Sequence, residues 1–338
     1  MNTLKRACLL SSLILCSASF AHPGNDHTHP GTLPELPVIT GNGQHTYQTV
    51  PQWGALPDGQ ILGPTHGSVA VSKEGRIYVS TEGERGICVF SEDGKFIRSI
   101  APDCSGTHSL TLREENGVEY LYGAHRRGER IIKLTLDGTL VLQILHTEEQ
   151  AIPGKLQGLT AVTVAPDGRI FAAVGYGSNM IHIFDANGTL EKSFGSKGDG
   201  IEEFQACHGI AIDPRFDEPR LLVADRENLR LKHYDLDGNF IGIHSQDLRR
   251  PCAVSFYGEY CAVAELAGRV TILNKNGTPV AFLGDNPRKE QWAKFRTPLE
   301  EIPEGVFTAP HGLSYDSQGN LYIQDWNQSG KITKLRKL

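Results

Sequence analysis

Three short stretches open with the same side chain. "THSLTLR" sets His108 ahead of an alternating apolar run, "CHGIAID" sets His208 there, and "PHGLSYD" sets His311 there. Neutral imidazole is a good zinc ligand, and three protein ligands with a vacant fourth position describe a catalytic rather than a structural zinc centre. Copper, iron and nickel suit the same donors, so residue type alone leaves the metal open. The plainer use of such rings is as polar residues hydrogen-bonded to water, but only 13 of 338 residues are histidine, and matched placement favours the metal. A second set of candidates, in loops downstream of strands, comprises Glu82, Arg126, Tyr176 and Arg226, with Glu265 and Trp326 as looser matches. Arginines above a metal suit a carboxylate ligand, because guanidinium grips carboxylate through two parallel bonds. A tyrosine near zinc can lose its proton and act as a base. The plainer reading of each is an exposed loop side chain paired with a neighbour.

What must position these residues is a repeat, written six times. Clear copies are "SVAVSKEGRIYVSTEGERGICVFSEDGKFIRSI" and "AVTVAPDGRIFAAVGYGSNMIHIFDANGTLEKSF". Period-two alternation and two-residue turns in "DG" or "NG" predict antiparallel meanders. No segment sustains a helical period. Units of roughly 40 to 50 residues with four strands each predict an all-β fold, a six-bladed β-propeller. The first strand of each blade then lines a central channel. His108, His208 and His311 take one equivalent position on blades two, four and six, so they converge on the axis from three directions. Gly67, Thr160 and, nearly, Pro251 take that position on the other blades, whereas His66 misses it by one residue and is expected to point elsewhere. The last copy ends at "KITKLRKL" without a fourth strand. "HTYQTVPQWGAL" is expected to complete that blade and close the ring, which removes exposed sheet edges.

Composition narrows the function. A formal net charge of −6 with scattered Lys and Arg gives no basic patch for nucleic acid. Residues 1–21 read as a secretory signal: Lys5 and Arg6 lead an apolar run too short to span a bilayer, and "SFA" suits cleavage after Ala21. The chain is therefore expected to be exported, periplasmic or secreted, with no membrane span. Residues 22–44, rich in His, Pro and Gly, read as a disordered leader rather than as a metal-capturing tail built on His22, His27 and His29, and 45–338 as the propeller. Without the signal five cysteines remain, an odd number, so at least one thiol stays unpaired or pairs between chains. Cys207 beside His208 reads as a buried thiol rather than a dyad, because sequence neighbours on a strand face opposite ways.

The blade pattern resembles NHL repeats. The segments "THSLTL", "VGYGSN", "CHGIAID", "VADRENLRL" and "PHGLSYD" look like the peptidyl-α-hydroxyglycine amidating lyase (peptidylamidoglycolate lyase) domain. The resemblance covers all six blades, and "ADREN" with the three histidine strand starts is its specific part. It implies a zinc-dependent lyase with His108, His208 and His311 as ligands, Tyr176 as base and Arg226 as a catalytic arginine. That family cleaves a carbinolamide C–N bond, releasing glyoxylate and a peptide amide, so the implied partner is a small molecule or peptide bearing a carboxylate. The chain departs from the family at three places. Glu82 stands for a second arginine, a charge that Arg126 is expected to restore. Ala309 stands for a methionine, and Gly312 for an aspartate that helps hold a structural calcium, which puts calcium in doubt. The same residues also suit a different metal-dependent lyase or hydrolase. The alternative from another class is a non-catalytic NHL propeller that binds a peptide or glycan and holds no tight metal. A lactonase-like propeller uses calcium with oxygen ligands, which three histidines argue against.

Overall fold

The computed structural model describes residues 36–338; the secretory signal read at 1–21 and most of the leader lie outside the described residues. Among the described residues twenty-five strands form six antiparallel sheets around a channel, a six-bladed β-propeller. β1 (Ile39–Asn42) and β2 (His45–Val50) precede the first blade, β3 to β6 (Val69–Val71, Ile77–Ser80, Ile87–Phe90, Phe96–Ile100). The second blade is β7 to β10 (Thr107–Glu115, Val118–His125, Arg130–Thr135, Leu140–Ile144). The third is β11 to β14 (Ala161–Val164, Ile170–Ala173, Ile181–Phe184, Leu190–Phe194). The fourth is β15 to β18 (Cys207–Asp213, Arg220–Asp225, Arg230–Tyr234, Phe240–Ser245). The fifth is β19 to β22 (Pro251–Tyr257, Tyr260–Glu265, Arg269–Leu273, Pro279–Leu283). β23 to β25 (Pro310–Tyr315, Leu321–Asp325, Lys331–Lys337) begin the sixth, and β2 pairs with β25 through Tyr47↔Lys337 to Val50↔Lys334. β1 adds a fifth strand outside β2, within the stretch 22–44 read as leader. The Gly43–Gln44 turn folds it back, and Thr40 accepts a hydrogen bond from the Gly284 amide at 2.8 Å.

The blades hold together face to face. One buried cluster joins Tyr122 and Ile131 of the second blade to Val162 and Ile170 of the third, and another joins Phe171 to Leu221 and Val223 of the fourth. Trp53 and Tyr322 pack on Val79 and Phe90 where the sixth blade meets the first. A blade alone would leave both faces of its sheet in water, so each is stable only between neighbours.

Most of the "DG" and "NG" turns differ from the two-residue form expected. In Asp185–Thr189 the Gly188 amide bonds Asp185 O at 3.0 Å and the Asp185 amide bonds Thr189 O at 2.9 Å. This is a three-residue loop ending in a left-handed glycine, φ +89° at Gly188. The residue that opens the loop selects it: Asp185 Oδ1 accepts the amides of Asn187 and Thr189 at 2.9 and 2.8 Å, and Asp235, Asn274 and Asp316 do likewise. Asn116–Gly117 keeps the two-residue form, with φ of 50° and 83°.

Candidate metal centre

Four of the six innermost strands slip register at one height. The slips lie between Thr107 and Ser109, Cys207 and Gly209, Pro251 and Ala253, and Pro310 and Gly312. Such a bulge leaves one residue unpaired and re-aims its side chain. The unpaired residues are His108, His208, Cys252 and His311. The fifth blade therefore presents Cys252, not the expected Pro251, because the bulge shifts the count by one. Gly67 and Thr160 precede the paired stretch on the first and third blades.

Each histidine is held by the blade that follows it. His108 Nδ1 donates to Thr160 O at 2.7 Å, His208 Nδ1 to Cys252 O at 2.9 Å and His311 Nδ1 to Gly67 O at 2.9 Å. A carbonyl can only accept, so Nδ1 carries the proton and Nε2 keeps its lone pair in all three. Ring centroids lie 4.9 Å apart for His108 and His208, and 4.7 Å for each of them from His311. All three rings are buried, and Nε2 of His108 and of His311 has no hydrogen-bond partner. Burial, reinforced by neighbouring positive charge, pushes their pKa values well below the ordinary imidazole range. Buried, neutral, lone-pair-bearing nitrogens facing one another fit a metal ion.

His66 departs from expectation. It lies against two of the three rings, 4.7 Å from His108 and 4.8 Å from His311 between centroids. Its Nδ1 is 3.3 Å from Glu82 Oε1 and its Nε2 is 3.4 Å from the Tyr176 hydroxyl. Of the three sets of potential ligand atoms among the described residues, each within 4.8 Å, two overlap here: His66, His108 and His311, and His208, Cys252 and His311; the third is Asp213, His233 and His244. His108 and His208 are thus linked through His311.

The mouth above carries the loop residues. Tyr176 donates its hydroxyl proton to His208 Nε2 at 2.9 Å, and Arg226 Nη1 donates to the same oxygen at 3.0 Å. Although 37% of Tyr176 is exposed, its hydroxyl sits among protein groups; burial raises its pKa and Arg226 pulls it back. Arg226 also bonds Glu227 at 2.8 Å, and Glu227 is anchored by Arg250 at 2.7 Å. Arg126 donates to Glu82 Oε1 at 3.1 Å, so part of the charge expected to replace the second arginine is spent on Glu82 itself. The His66 hydrogen bond, then Arg126, hold the Glu82 carboxyl below the usual range against the opposing effect of burial.

Glu265 lies one position short of this ring. It ends β20, buried, and takes the Arg249 amide at 2.7 Å, as Asp225 takes that of Gln205 at 2.8 Å. Leu266 follows it at the place of Arg226 and packs with Cys252, Ala309 and Trp326 as an apolar wall. Trp326 is where it was expected, 5.5 Å from His66 between centroids. A pocket of about 820 Å³ lined by Arg288, Phe295 and Arg296 opens beside it. On the far side of the histidines from Tyr176, the channel is a cavity of about 460 Å³ lined by Ser109, Thr163 and Ser255 among others. At Gly312 a Cβ would stand 2.6 Å from Ser68 Cα and 2.7 Å from Gly67 O, so the aspartate of the resembling family has no room on this backbone. All five described cysteines are unpaired and buried.

Comparison with known proteins agrees on the architecture. Residues 145–261 match the profile of a family described as "6-bladed beta-propeller" (DUF5128). A streptogramin B lyase structure is similar with a TM-score of 0.57 and 13% identity over 83% of this chain and 96% of that one. Virginiamycin B lyase from Staphylococcus aureus gives 0.56 and 16% over 86% and 99%. A gluconolactonase from Xanthomonas campestris gives 0.63 and 12% over 90% and 99%. At such identities the shared property is the fold: the chain is a six-bladed β-propeller similar in architecture to propeller enzymes of lyase and lactonase type.

Proposed function

We propose that the protein is an exported, metal-dependent lyase of the peptidyl-α-hydroxyglycine amidating type. The observation that carries this reading is the trio of buried imidazoles with Nδ1 tied to carbonyls and Nε2 turned inward, beneath Tyr176 and Arg226. His108, His208 and His311 would hold the metal, and zinc suits them. Bound there, zinc would act as a Lewis acid on a substrate oxygen and favour loss of a nearby proton. Tyr176, as the phenolate that Arg226 stabilises through the bond already present, takes the proton of the substrate hydroxyl at its phenolic oxygen and becomes the neutral phenol. His66 receives or returns that proton at Nε2, with Glu82 fixing its ring. Arg126 and Arg226 bring positive charge to the side where a substrate carboxylate would lie, and the pocket beside Trp326 offers space for the body of the substrate. Export rests on residues 1–21; no helix among the described residues is long and apolar enough to cross a membrane.

The Glu82–His66 pair favours a second reading, a related lyase or hydrolase in which His66 is the base and the substrate lacks a carboxylate. One assay separates the two. Zinc-loaded protein given a peptide ending in α-hydroxyglycine should release one glyoxylate per amide formed. No glyoxylate from fully loaded protein would reject the amidating reaction.

A further inference from the structure

We infer that Cys252 is a sulfur ligand of the same metal centre. The inference rests on the metal reading above and adds a donor to it. Cys252 is the unpaired residue of a bulge between Pro251 and Ala253, the geometry that aims His311 from between Pro310 and Gly312. The surrounding residues match too: "PCAVS" on the fifth blade corresponds to "PHGLS" on the sixth. Its sulfur, His208 and His311 offer ligand atoms within 4.8 Å of one another. The thiol is 1% exposed and unpaired, and the facing His311 Nε2 lacks any hydrogen-bond partner. A cysteine that served only as a small apolar residue beside Leu266 and Ala309 would not need the one backbone position that points into the histidine cluster.

A mixed nitrogen and sulfur donor set has a consequence for metal choice. Thiolate favours zinc, cadmium and copper(I) and disfavours magnesium, manganese and calcium. Cys252 would thus set metal preference, while its backbone carbonyl orients His208 at 2.9 Å. The sulfur and the carbonyl act separately, so a Cys252→Ser or Cys252→Ala change removes the first and keeps the second.

The test is cobalt(II) reconstitution of the mature chain, read by its absorption spectrum. Cobalt bound through Cys252 gives a near-ultraviolet sulfur-to-cobalt charge-transfer band. The band should vanish in Cys252→Ser and Cys252→Ala while cobalt stays bound, and persist in Cys207→Ala, whose thiol faces Met180 O at 3.7 Å. Cadmium affinity should fall about 10-fold or more in the Cys252 variants, the scale of losing a metal-site contact. Wild-type protein that binds cobalt without the band would overturn the inference and leave the three-histidine centre intact, even if no variant folds. Protein that binds neither cobalt nor cadmium would remove both.

Discussion

Tyr176 and the proposed metal depend on the same imidazole. The His208 Nε2 lone pair that now accepts the Tyr176 proton at 2.9 Å is the one a metal ion would use, so metal and phenol are coupled through one ring. Tyr176→Phe removes the hydroxyl but none of the imidazoles. We expect glyoxylate release to fall on the order of 10²-fold or more, the usual weight of a general base, while the metal content of the purified variant is unchanged. Equal activity in the variant would assign the proton transfer elsewhere, with His66 first in line. The three histidines were legible in the sequence because each follows a small or polar residue and precedes an alternating run. His66 and Cys252 were not, since both lie one residue from the position counted on an unbroken strand. The local signal for Cys252 was the match of "PCAVS" to "PHGLS".

The bulges and turns decide where those side chains go. Regular pairing through His208 would hold its side chain to the two-residue alternation of β15 rather than the bulge that turns it inward. The outer turns do the converse work of keeping the meander in register. In the Asn274–Thr278 turn, Gly277 has φ +79°, and a Cβ there would run into the His244 carbonyl. Gly277→Ala should cost about 1–3 kcal/mol, the range for strained backbone, seen as a lower urea midpoint with an unchanged slope. A neutral result would show that the fifth blade relaxes around the turn. Strand number and order were readable from alternation and glycine placement. The type of most turns was not, because it is set by hydrogen bonds from the opening Asp or Asn that a pair such as "DG" does not reveal. The one-residue slip at Glu265 has the same origin: its carboxylate serves the Arg249 amide, and Leu266 takes the mouth position.

At the scale of the whole ring, the buried His182 and the half-buried His244 tie stability to pH. His182 is fully buried and its pKa is lowered to about 4 by burial; His244 is lowered to about 3 by burial, then by His233 and Arg215. The unfolded chain binds their protons near pH 6.5 and the folded chain does not, so it is the unfolded state that gains from acid. Stability from these groups is therefore full above about pH 6.5 and is lost as pH falls toward 4 and then 3, roughly 3 kcal/mol of it from His182. Urea unfolding at pH 7 and pH 5 should show the loss, and His182→Leu should flatten it; an equal slope in the variant would place the effect elsewhere. Closure of the ring, with β2 beside β25, holds alternate blades where three side chains meet on one axis. Whether the three imidazoles hold a metal where they converge is read by elemental analysis. The protein is purified without chelator or an affinity metal, beside a His208→Ala variant shown to be folded by circular dichroism. About one equivalent of zinc is expected in the first and none in the second. No metal in the wild-type protein, or the same amount in both, would contradict it.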